Sequence, residues 1–106
     1  MSSYTTIKRH PAVPVTGANP VLIISLAAEA PRVALRCYVP HDAGTDVIFT
    51  PVPAGDVPTR ADALAEGPYY VTPKAFMWDG ARGGPDIYAT LIDGTKTVTL
   101  KPQELV

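Results

Sequence analysis

Asp86–Lys101, DIYATLIDGTKTVTLK, is the stretch on which the fold turns. Ile87, Ala89 and Leu91 alternate with Tyr88, Thr90 and Ile92; beyond Asp93-Gly94, Val98 and Leu100 alternate with Thr97, Thr99 and Lys101. Period-two alternation is the mark of a strand with one buried face, and an Asp-Gly pair between two such runs signals a hairpin. A two-residue loop places Ile87 opposite Leu100 and Ala89 opposite Val98; a four-residue loop pairs Ala89 with Leu100 and Leu91 with Val98. Either register keeps Ile87, Ala89, Leu91, Val98 and Leu100 inward and leaves Tyr88, Thr90, Thr97 and Thr99 outside.

Upstream, the same logic yields further strands. Val21–Glu29 (VLIISLAAE) is nearly all apolar, which fits a strand buried on both faces or a short helix; periodicity does not separate the two. In Arg32–Val39, Val33, Leu35, Cys37 and Val39 alternate with Ala34, Arg36 and Tyr38, so a half-buried strand is expected. Asp46–Val52 is rich in β-branched and aromatic residues, and Pro51 and Pro53 put its later half at a sheet edge or bulge. Short strands are expected at Pro68–Thr72 and Ala75–Trp78, followed by the glycine-rich loop Ala81–Pro85. Between Asp46–Val52 and Pro68–Thr72, Ala54–Gly67 reads as a crossover carrying one helical turn, with Thr59 and Asp62 at capping-box spacing. Crossovers of this kind carry the chain from one sheet of a sandwich to the other.

Pro11, Pro14 and Gly17 make residues 1–19 an extended arm rather than a helix, disordered in isolation or, as favoured here, laid across a neighbouring subunit, with Val13 and Val15 able to pair at a sheet edge. Residues 20–101 form the β domain and 102–106 a tail. The class is therefore all-β: a small antiparallel sandwich or partly open barrel of about six to eight short strands with an N-terminal arm.

Composition narrows function mainly by exclusion. At 106 residues there is room for one core, and only 18% of residues are charged, which suggests that other subunits cover part of the surface. Nine basic against ten acidic residues, with no basic stripe, leave nucleic-acid binding without its electrostatic footprint. No run of the sequence is long and apolar enough to suggest a membrane span or secretory leader. Cys37 is the single cysteine, expected as a buried, inert thiol. His41, Asp42 and Asp46 match no metal-loop spacing and read as a solvated turn. No serine lies in a nucleophile elbow, and the carboxylates Asp42, Asp56, Asp79, Asp86 and Asp93 sit where turns favour Asp. No catalytic residue, metal ligand or cofactor is assigned. The anchors expected at a protein interface are Tyr4, Ile7, Val13 and Val15 in the arm, with Tyr70, Trp78 and Arg82 beyond it.

The segments TDVIFTPVPAG, GPYYVTP and DIYATLIDGTKTVTL, in that order behind a Pro-punctuated arm, resemble small β-sandwich structural proteins of tailed bacteriophages. The resemblance implies a non-enzymatic virion protein, made in the host cytoplasm, that decorates and stabilises a capsid. Its implied partners are further copies of itself and the major capsid or other virion proteins. A neck or tail accessory protein, or a carbohydrate- or host-surface-binding module using exposed aromatics, is the alternative.

Overall fold

A computed structural model of the chain describes residues 7–16, 19–25, 34–65, 75–79 and 84–105. The strand expected over Pro68–Thr72 and most of the loop Ala81–Pro85 lie outside these residues. Along the described chain run β1 (Ile7–Arg9), β2 (Val13–Thr16), β3 (Val21–Ser25), β4 (Ala34–Tyr38), β5 (Val47–Val52), α1 (Arg60–Ala65), β6 (Ala75–Asp79), β7 (Asp86–Leu91) and β8 (Thr97–Leu105). They form two open antiparallel sheets, one ordered β1-β8-β4-β6 with β2 also on β8, the other ordered β3-β7-β5. This is the expected all-β sandwich, and its sheets do not close into a barrel.

The expected hairpin is absent: β7 lies between β3 and β5, while β8 lies in the other sheet. A type I′ turn needs φ > 0 at both central residues, and Gly94 is not among the glycines with positive φ. Asp93 instead turns its carboxylate onto the next residues, accepting Thr95 N–H at 3.0 Å and Thr95 O–H at 2.6 Å. The chain leaving β7 is also held from outside. Ile92 N–H donates to the Asp46 carbonyl, Asp93 N–H to Thr45 Oγ1, and Arg60 clamps the Leu91 and Ile92 carbonyls at 2.7 and 2.9 Å. The segment is therefore an arch between sheets.

The inward set nevertheless holds. Ile87, Ala89 and Leu91 meet Val98 and Leu100 in one core with Val15, Ile23, Ile24, Cys37, Val39, Val47 and Phe49. An arch stacks its two strands face to face through side chains, whereas a hairpin sets them side by side, and both need the same alternation. The outward set holds only in part, because Tyr88 and Thr90 are buried while Thr97 and Thr99 are exposed. All of β7 is buried, and the crossover that follows β5 bonds to both of its ends, through Gly55 N–H at Asp86 and Arg60 at the Leu91 carbonyl. That crossover carries α1 as anticipated: Asp62 N–H donates to Thr59 Oγ1 at 3.1 Å, and Thr59 N–H returns to Asp62 at 3.4 Å.

Asp86 closes the far end of β7. It is buried, and its carboxylate accepts the Ser25 hydroxyl at 2.6 Å and Gly55 N–H at 3.1 Å. In β3 a bulge between Leu22 and Ile24 lets both Ile23 and Ile24 reach the core.

The described arm pairs within its own chain. β1 and β2 run antiparallel along one edge of β8, from Ile7 opposite Leu105 to Thr16 opposite Thr97. Between Arg9 and Val13, His10, Pro11 and Ala12 face only Lys101 and Pro102, which is a bulge. The bulge explains how β8 carries Pro102 inside a sheet. The Pro102 carbonyl accepts His10 N–H at 3.1 Å, so the donor that proline lacks would also point to the arm side, where the ladder is already interrupted. The residues read from the sequence as a tail thus continue β8 as far as Leu105.

Candidate interaction face

The sequence-nominated anchors do not converge among the described residues. Tyr4, Tyr70 and Arg82 lie outside them. Ile7 and Val13 are half-buried against β8, and Val15 is wholly buried in the core of its own chain. Trp78 stands opposite Leu35 in the β4–β6 ladder. The arm also carries a hydrogen bond, His10 Nε2 lying 2.6 Å from Oε1 of the buried Glu104.

Two surface features remain. A cavity of about 400 Å³ between β5 and the crossover is walled by Val52, Pro53, Val57 and Pro58, with Asp56 and Asp62 at its polar side. Asp62 is engaged by the helix cap; Thr50 is the one hydroxyl in the lining, and no histidine or cysteine joins the two carboxylates there. His41 and Asp42 are exposed in a turn closed by the Ala43 N–H to Pro40 carbonyl bond. Among the described residues no three His, Cys, Asp or Glu side chains gather as metal ligands. No described helix is long and apolar enough to cross a membrane. Cys37 is fully buried, and burial pushes its thiol up to about 12 despite a hydrogen bond with the Lys101 backbone.

The second feature is the outer face of the five-stranded sheet, where alternation in β4 and β8 turns Cys37, Val98 and Leu100 inward and Arg36, Tyr38, Thr99, Lys101 and Gln103 outward. In the ladder Arg36 stands opposite Gln103 and Tyr38 opposite Lys101. Arg36 Nε donates to Gln103 Oε1 at 3.0 Å, and its guanidinium carbon lies 5.2 Å from the Tyr38 ring centroid. Such a stack and hydrogen bond hold a side chain that is otherwise among the most mobile. Tyr38 keeps 52% of its surface exposed beside a shallow groove of about 230 Å³ bounded by Pro40, Thr99, Lys101 and Gln103. An arginine and an exposed aromatic on central strands are the residue types that anchor protein contacts.

Sequence reasoning passed over these residues. Alternation in Arg32–Val39 already set Arg36 and Tyr38 on the polar side, but nothing local shows that β4 pairs with the last strand. The chain matches no family model, no curated protein and no solved structure.

Proposed function

We propose that the chain is a non-enzymatic structural protein of a virion that docks on an assembled particle through the outer face of its five-stranded sheet. The observation that carries this reading is the Arg36–Tyr38–Gln103 arrangement, an exposed aromatic beside a hydrogen-bonded guanidinium on the outer face of the sheet. A rigid anchor loses little conformational entropy on contact, and binding to the assembled state alone stabilises it by mass action. The resemblance to phage head and tail accessory proteins supports the virion setting and the role of shell decoration. In this reading the described arm stiffens the docking sheet by completing its edge along β8.

The test is to separate particles from the source culture on a density gradient and probe the fractions for this chain, then to rebind purified protein to stripped particles. The chain is expected to band with particles, and Tyr38→Ala to lose rebinding with an unchanged melting temperature. A chain found only in the soluble fractions, or a Tyr38→Ala protein that rebinds fully, overturns the proposal. Loss of a glycan-array signal in Tyr38→Ala while particle rebinding persists would instead favour the carbohydrate-binding alternative.

A further inference from the structure

Pairing on both sides of β8 assembles a charge cluster from distant parts of the chain. Gln103 has Arg9 of β1 opposite it on one side and Arg36 of β4 on the other. Residues directly opposite in a ladder share a face, so Arg9, Gln103 and Arg36 form one row across the sheet. Neighbouring strands lie about 4.8 Å apart, which sets the two arginine positions roughly 10 Å from one another. Lys101, two residues before Gln103 on the same face, is about 8 Å from each by the same spacing. The three cations thus outline a small triangle around a neutral amide.

None of the three is paired with an acid directly opposite it in the ladders. Arg9, Arg36 and Lys101 make no ion pair among the described residues. Glu104 alternates to the opposite side of β8, beside His10. The described acids Asp42, Asp46, Asp56, Asp62, Asp86 and Asp93 belong to loops, the helix or the other sheet. Asp79, which ends β6 opposite Ala34, holds a position on the same face about 8 Å diagonally from Arg36, so an acid flanks the triangle on its β6 side. A chain of net charge −1 therefore concentrates positive charge on the face that also presents Tyr38. At physiological salt the screening length is about 8 Å, comparable to the spacing, so the cations act on a ligand as one field.

We infer that this face binds an acidic segment of a partner protein, with carboxylates seated on the Arg9–Arg36–Lys101 triangle. Arg36 has its Nε taken by Gln103, which leaves its terminal guanidinium nitrogens for a carboxylate fork. Single-stranded nucleic acid is held on successive aromatic platforms, and among the described residues Tyr38 is the one large exposed aromatic. The inference rests on the docking reading above and names the chemistry of the surface met there.

The probe is a fluorescein-labelled octaglutamate peptide, followed by anisotropy at low and physiological salt, with a labelled oligothymidylate of equal length as comparison. The peptide is expected to bind with an affinity that falls as salt rises and to outcompete the oligonucleotide. Arg36→Gln weakens it about tenfold and Arg9→Gln or Lys101→Gln about threefold, whereas Lys96→Gln, in the β7–β8 loop, leaves it unchanged. No binding, tighter binding of the oligonucleotide, or an equal loss in Lys96→Gln overturns the inference. Because the peptide assay needs no particle, its failure alongside loss of particle rebinding in Tyr38→Ala would refute the acidic partner and leave the docking reading standing.

Discussion

Val15→Ala is the most direct measure of whether the arm belongs to this chain's own core. Val15 is completely buried and clusters with Val98, Leu100 and Cys37, while its neighbours Pro14 and Thr16 are exposed. The substitution removes two buried carbons, worth about 1.6 kcal/mol at ~0.8 kcal/mol each. The cavity left between two rigid sheets raises the cost to about 2.5 kcal/mol. For a domain of this size that lowers the melting temperature by roughly 10 °C or more. Calorimetry and urea unfolding followed by circular dichroism read the change directly. Thr16→Ala, on the same strand and facing water, stays within about 0.5 kcal/mol of the parent. If β2 is intramolecular, the melting temperature is also unchanged over about a hundredfold range of protein concentration; an arm seated on a second copy would make it rise with concentration. A Val15→Ala shift below about 2 °C, or one matched by Thr16→Ala, would refute the packing argument. By the same geometry, removing residues 7–16 uncovers the edge of β8 and destabilises the domain.

Thr90 and Thr50 are buried on the second face of the small sheet, with hydroxyl oxygens that find no hydrogen-bond partner among the described residues. Thr90→Val keeps the shape and removes an unpaired polar group, so it raises stability by about 1 kcal/mol in urea unfolding; a loss of that size would mean the hydroxyl is bonded. Asp93 governs part of the acid response. Its hydrogen bonds from Thr95, side chain first and backbone second, hold its carboxyl below the ordinary 3.8. A carboxyl with a lower pKa in the folded state adds stability above its unfolded pKa, and that contribution fades as pH falls through the folded value. The gap between the parent and Asp93→Asn is therefore fully open at neutral pH and closes as pH falls below about 4. A gap of constant size across a pH series of thermal melts would show that the carboxylate charge plays no part.

Much of the architecture was legible locally. Alternation identified the buried faces of β4, β7 and β8, the capping spacing of Thr59 and Asp62 located α1, and Pro51 marked β5 as an edge. Strand partners were another matter. The register of a strand is pinned by which face it buries, yet an arch and a hairpin bury the same face. The choice at Asp93-Gly94 therefore fell to contacts from Thr45, Asp46 and Arg60, which are distant in sequence. Pro102 reads as a stop in isolation, and only the bulge opposite it in the arm lets the strand run on.

The candidate site follows the same division. By itself the sequence determined that this is an all-β chain with one buried thiol, a capped turn in a crossover, and alternating faces whose apolar half makes the core. Tertiary structure alone decided that Arg9, Arg36 and Lys101 share a surface. Their charges are too far apart in the chain to register as a stripe, and hydrogen bonding along both sides of β8 draws them within about 10 Å of one another. Side-chain periodicity is a property of a single strand, whereas a binding face is a property of the strands beside it.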